Sequence, residues 1–403
     1  MGCCYPDGQL QEILADSKTE LSWASENLQK AIIAGLDLHV DSLTVISAPA
    51  LGSWPSAYKK MFFKGKSFSG ENRDVDVSAG YLNLPLAVHF FKMRALQKEL
   101  KKWAESLADE DRKNVIIYPM ATSYVMAAVW LKKHFSNVNL TLIVPDLPQY
   151  MSENKNKLFL LLKSIDFKIM SKGLEDIDNF VLLSEKMKEK IPVLPKPYCV
   201  MEGIFSASQE EISAAKEEKT TVFYTGNLTR RSGVELLLES FSMLDDNYQL
   251  WVRGNGILKE RIIEAGKTDS RIKYLPPLSR KEILEYQKRA TVLINPVSPA
   301  EEFSNYFFPS KIMEYIASGT PVVMFKLGCI PEEYLPHVVI PEEVSAGAIA
   351  ETFKEIRSWS SEKYKAHGEA NTAFILNEKN PFVQTGKIVD LIRKSWENLC
   401  CEA

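Results

Sequence analysis

A chain of 403 residues, 45% hydrophobic and 25% charged, has the make-up of a folded protein large enough for two domains with separate cores. Its net charge of −3 argues against nucleic acid as the main partner, and no apolar run approaches the roughly 18 to 20 residues that span a bilayer. The opening Met-Gly-Cys-Cys has no basic region or apolar core of a secretory signal, and the six cysteines show no C-x-x-C pair, so the expectation is a cytoplasmic protein without a metal site or disulfide framework. The charge is uneven: residues 51–172 hold 19 Lys/Arg against 11 Asp/Glu, a balance of +8 that leaves −11 for the remainder.

Residues 2–8 read as a loop after a first strand of very few residues, with Gly8 either approaching a ligand or sitting in an ordinary turn. Leu28, Ile32, Ile33 and Leu36 predict a helix over 25–36, and 42–48 reads as a buried strand. The β-formers of 58–67 and 75–84 predict two more strands. Asp74 and Asp76 open the second of these, which argues against a metal-binding carboxylate pair. Over 86–107 the spacing predicts a long helix, with Phe90, Phe91, Met93, Leu96, Leu100 and Trp103 among Lys92, Arg94, Lys98, Lys101 and Lys102. This is either a core helix with a solvated basic face or a weak, salt-sensitive contact with anionic lipid.

Short apolar runs at 114–119, 140–145 and 180–184 alternate with helical patterns at 123–135 and 155–170, the sign of a parallel sheet with right-handed crossovers. Pro192, Pro195 and Pro197 mark 192–205 as a linker. Alternation then restarts, with strands at 220–224, 249–252, 272–275, 291–295 and 321–325 and helices at 233–241, 258–265 and 280–289. The prediction is an α/β chain with two Rossmann-like, doubly wound domains, 1–198 and 205–380, facing a cleft where ligands bind at the carboxyl ends of strands.

The stretch Pro309-Ser-Lys-Ile-Met-Glu-Tyr-Ile-Ala-Ser-Gly-Thr-Pro-Val322 predicts a helix over 309–318, with proline at its first position and Gly319 just past its end. Phe308 cannot cap that helix, so an anion would satisfy the first N–H groups. Lys311 and Glu314 lie on one face, which suits either a bound diphosphate and ribose or a plain surface ion pair. The motif resembles the donor site of GT-B fold glycosyltransferases that use nucleotide sugars, glycosyltransferase family 4 (group 1), especially the branch that builds bacterial surface polysaccharides.

The resemblance implies a metal-independent enzyme that retains the anomer and has no cofactor beyond a nucleotide-sugar donor, UDP-linked. It implies that Ser310 and Lys311 hold the donor diphosphate and Glu314 the ribose. The family's second glutamate, eight residues earlier, is Tyr306 here. In the loop Gly226-Asn-Leu-Thr-Arg-Arg-Ser-Gly233 the family's Arg and Lys positions hold Asn227 and Ser232, which passes their role to Arg230 or Arg231, with Arg231 nearer the helix. Gly226 and Arg253, in the loop Arg253-Gly-Asn-Gly256, complete the phosphate side, and Leu278 packs on the base. Neither loop forms G-x-G-x-x-G with a ribose-binding acid, so a nicotinamide site is not expected.

By the same resemblance Gly8 approaches the sugar, Asp146 stands on the acceptor side, and the last helix, 381–403, crosses back to the first domain. The catalytic set is then Lys311, Arg231 and Asp146. The partners are a nucleotide sugar and a glycan or lipid-linked acceptor, with weak attachment to the inner membrane surface. The missing glutamate leaves a second reading: a catalytically silent GT-B subunit that scaffolds a partner.

Overall fold

The computed structural model describes all residues except 70–74, 148–156, 193–195, 208–211, 213 and 403. The expectations for Asp74, Pro195 and the helix start at Lys155 lie outside the described residues. The chain divides into two units, Met1–Ile204 with Pro381–Ala403, and Phe205–Asn380.

The first unit runs α1 (Leu10–Asp16), α2 (Trp23–Leu36), β1 (Ile46–Ser47), β2 (Phe62–Phe63), β3 (Lys66–Ser69), β4 (Val75–Ser78), β5 (Tyr81–Leu82), α3 (Val88–Glu105), β6 (Lys113–Ile117), α4 (Thr122–His134), β7 (Val138–Val144), α5 (Lys157–Leu174), β8 (Asn179–Leu182) and β9 (Tyr198–Val200). Strands β6-β7-β8-β9 form a parallel sheet, and β1-β4-β3 a second one in which only β3 is antiparallel. The first residues join the two. Gly2 donates to Ile46 O and accepts from Ala48 N, while Met1 O accepts from Tyr118 N and the Met1 ammonium donates to Ile116 O at 2.7 Å. The short first strand read from the sequence is therefore an extended segment between β1 and the end of β6.

Two expectations change here. The strands over 58–67 and 75–84 are each cut in two, because Gly65 and Gly80 face one another so closely that a Cβ on either would collide with the other's backbone. At this glycine pair the chain leaves the β2–β5 ladder for the β3–β4 ladder. The supposed linker over 192–205 contains β9: Tyr198–Val200 has no proline and pairs with Phe180–Leu182, closing the sheet edge.

The second unit runs β10 (Thr220–Thr225), α6 (Val234–Ser242), β11 (Tyr248–Arg253), α7 (Lys259–Thr268), β12 (Ile272–Tyr274), α8 (Arg280–Arg289), β13 (Val292–Asn295), α9 (Lys311–Ala317), β14 (Val322–Met324), α10 (Ala346–Arg357) and α11 (Ser361–Glu378). Its five strands are all parallel in the order β12-β11-β10-β13-β14. Such strands are buried on both faces, which is why they read as unbroken apolar runs. The order reverses between β10 and β13, so loops leaving their carboxyl ends part there and open a crevice. The final helix, α12 (Pro381–Glu402), returns to the first unit, where Phe382 stacks on His39 at 4.3 Å and Ser395 accepts from Asn139.

Gly65→Ala is expected to lower stability by about 1–3 kcal/mol through backbone collision. Gly8→Ala is expected to leave it unchanged, since nothing lies within 4 Å of a Cβ at Gly8. Urea unfolding of the two variants checks the contrast.

Candidate functional site

The loop after β10 is built to let one lysine come close. Gly226 has φ +146°, and a Cβ there would stand 3.1 Å from Tyr224 Oη and 3.3 Å from Lys311 Nζ. Its N–H donates to Arg253 O at 3.0 Å, and a Cβ on Gly254 would strike the Gly226 carbonyl, so both glycines are needed for the two turns to touch. Tyr315, from the same helix as Lys311, is fully buried. Its hydroxyl accepts from Thr225 N at 2.9 Å and lies 3.1 Å from Thr225 Oγ1, which fixes the end of β10 against α9.

Lys311 is half-buried at the first position of α9. Its Nζ donates to Thr225 O at 3.3 Å and stands 4.3 Å from the Tyr224 ring centroid and 5.8 Å from that of Tyr315. Among the described residues no carboxylate pairs with it. Burial without a counter-charge pushes its amine down to about 7. The plain Lys311/Glu314 surface pair is thereby replaced. Glu314, half-buried, instead lies 3.8 Å from Arg280, a residue the sequence reading passed over because it belongs to a different helix, α8.

The helix is shorter than 309–318. Ile312 N donates to Pro309 O and Met313 N to Ser310 O, so the first turn is of the tighter three-residue kind, and Gly319 at φ +75° ends it. Ser310 is exposed and its side chain caps nothing. Ser232, where a lysine was sought, closes the turn Arg230–Ser232 by donating to Thr229 O at 2.6 Å. Arg230 and Arg231 are both exposed, and Arg231 lies 3.9 Å from Glu301 and over the Phe303 ring. Arg253 donates to Gly254 O and lies 3.4 Å from Tyr274 Oη, which also holds Gly254 O, so it braces its own loop. Leu278 is half-buried against the core of this unit, next to the α8 cap Ser279. Tyr306, standing where a glutamate was sought, is buried.

The structure thus brings Gly226, Lys311 and the Arg253 loop together, with Ser310 and Glu314 on the same short helix. Gly8 and Asp146 belong to the first unit. Gly8 is exposed in a single 3-10 turn, and Asp146, half-buried just after β7, has its carboxyl raised by burial. Of the basic face expected on 86–107, Lys92 turns inward. It donates to Pro49 O at 2.9 Å and sits over Tyr81, while Lys101 and Lys102 pair with Glu105 and Glu99.

Residues 219–357, from β10 to α10, match the family model described as Glycosyl transferases group 1. No curated protein sequence matches the chain. Solved structures are similar over nearly its whole length. A sucrose-phosphate synthase from Thermosynechococcus elongatus is 13% identical, with a TM-score of 0.59 over 93% of this chain and 92% of that one. The E. coli trehalose-6-phosphate structure bound with UDP-2-fluoro glucose is 12% identical, with a TM-score of 0.61 over 91% and 96%. Anabaena HepE in complex with UDP is 10% identical, with a TM-score of 0.56 over 78% and 85%. The fold is GT-B. At these identities the likeness shows architecture, and the chemistry is argued from the residues.

Because Lys311 gives up its proton near neutrality, the 15N-lysine resonance that disappears in Lys311→Met is expected to titrate near pH 7, below the ordinary lysine range. NMR of selectively labelled protein provides the check.

Proposed function

We propose that this chain is a glycosyltransferase that moves a sugar from a UDP-linked donor to a glycan or lipid-linked acceptor with retention of the anomer and without a metal ion. The observation that carries the reading is the Lys311 ammonium, held at the sheet's reversal point beside two glycine turns with no carboxylate to pair with it among the described residues. A protein group buried in that way is stabilised when an anion arrives, and a diphosphate supplies the charge. Ser310 at the start of α9 and Glu314 one turn on suit the phosphate and the ribose. The family match over the second unit and the UDP in two of the similar structures support the same donor class.

In this reading the bond between the anomeric carbon and the diphosphate oxygen breaks through an oxocarbenium-like state. Lys311, with Arg231 drawn in from Glu301, stabilises the negative charge gathering on the leaving phosphate. The acceptor hydroxyl attacks the same face of the sugar, and its proton passes to that phosphate oxygen. Gly226, Arg230 and Arg253 shape the phosphate side, Leu278 the base, and Gly8 and Asp146 are the candidates from the first unit. We place the reaction in surface polysaccharide synthesis at the cytoplasmic face of the membrane. Among the described residues no helix is long and apolar enough to cross a membrane.

Lys311→Ala and Glu314→Gln are each expected to lower transfer at least about tenfold, or about 1.4 kcal/mol of transition-state binding, with the fold intact. A screen of nucleotide sugars against both variants tests this, and full activity in both would place the donor elsewhere. A second expectation follows from the lowered amine. Unliganded Lys311 is charged below pH 7 and neutral above it, whereas a bound diphosphate holds the proton. UDP binding is therefore expected to take up a proton at pH 8 and to weaken about tenfold per pH unit above 7. Calorimetry in buffers of different ionisation enthalpy measures both, and a chain without UDP affinity would be the scaffold subunit instead.

A further inference from the structure

We propose that a slot in the first unit, between the residues leading into β1 and strand β6, binds an apolar peptide end, which enters as an added parallel strand with its carboxylate toward Met1. Met1 and Gly2 already act as such a strand. Gly2 pairs with Ile46 and Ala48 on one side, and Met1 pairs with Ile116 and Tyr118 on the other. Beyond the Met1 ammonium the same two edges, residues 43–46 and 114–116, line one cavity with about 760 Å³ of free space, part of it open to solvent.

The main chain of both edges is aimed into that space. Val45 O accepts from Val77 N of β4 at 2.8 Å and Ser47 O from Ala79 N at 2.7 Å, while Val45 N donates to the Asp76 carboxylate. Backbone groups alternate in direction along a strand, so Thr44 O and Ile46 N point the other way, into the slot. Across from them Tyr118 N and Ile116 O face Met1, and the same alternation turns Ile116 N and Asn114 O into the slot. Such groups call for partners. Burial agrees: β7 is buried at every residue, whereas β6 beside it leaves Asn114 exposed and Ile116 half-buried, although a strand inside a parallel sheet is covered on both faces.

The walls and the charge select the occupant. Ile32 and Leu36 of α2 and Leu100 and Trp103 of α3 border the cavity, which calls for apolar side chains. Residues 43–46 span about 13 Å at the rise of a strand, room for about four residues of peptide. Main-chain pairing then supplies affinity, and the apolar walls supply selectivity. Direction follows from Met1, whose half-buried ammonium donates to Ile116 O and has no carboxylate paired with it among the described residues. A peptide carboxylate brings the opposite charge there, whereas an amino end brings a like one. The slot lies wholly in the first unit and does not rest on the sugar-transfer reading.

Fluorescence anisotropy of a dye-labelled peptide, Lys-Lys-Ile-Val-Ile-Val with a free carboxylate, titrated with the full chain tests the proposal. The free acid is expected to bind at least about tenfold more tightly than its amide, and than a version with proline at the next-to-last position, which removes one N–H. Binding is expected to slow hydrogen exchange at the Ile46 and Ile116 amides at least about tenfold. It is expected to disappear in a variant with Ile-Val-Ile-Val joined before Met1, which fills the slot with its own residues and melts no lower than wild type. Equal binding of the three peptides, binding of none, unchanged exchange at both amides, or retained peptide binding by the extended variant overturns the proposal. So does uptake of an apolar dye without any response to the peptide, which would make the cavity a small-molecule site, and so does a wild-type dimer that the peptide dissociates, which would assign the slot to a second copy.

Discussion

Lys311 is the constraint around which the second unit is arranged. An ammonium set against two aromatic rings and one carbonyl, with no carboxylate partner among the described residues, is costly to keep charged, and burial lowers its pKa accordingly. The surrounding features all serve to hold it there. Gly226 and Gly254 allow two backbone turns to meet beneath it, Tyr315 ties the helix to the end of β10, and the reversed strand order between β10 and β13 leaves the space open. In the proposed function, a positive charge so prepared would discriminate between an empty site and one holding a diphosphate, and would need little reorganisation when charge moves onto a leaving group.

Much of this architecture was legible because parallel strands buried on both faces read as continuous apolar runs between helices. The strands expected at 220–224, 249–252 and 272–275 are found within a residue or two, and the helix over 280–289 has the expected ends. The failures share a physical cause: each depends on a contact distant in sequence. Gly65 and Gly80 divide two strands only because they face one another, and Tyr198–Val200 becomes a strand only because β8 offers an edge. The choice between a surface pair and a ligand set for Lys311 and Glu314 was open in the sequence. The surface pair is not formed, because Arg280 from another helix takes the place beside Glu314. Lys92 showed the same limit, since helical spacing cannot reveal that Pro49 O waits for its ammonium.

The first unit differs in character. Its sheets are joined by Met1 and Gly2, whose backbone groups pair to both sides, and burial pushes the terminal ammonium down to about 6. Its helices carry the excess positive charge, and α5 leaves an apolar stripe uncovered beside exposed lysines.

A crystal structure of the protein with UDP addresses the central claim most directly. A diphosphate oxygen is expected within about 3 Å of Lys311 Nζ, with the ribose against Glu314. A nucleotide bound away from α9, or one held at that helix while Lys311 remains turned to Thr225 without touching phosphate, would contradict the account.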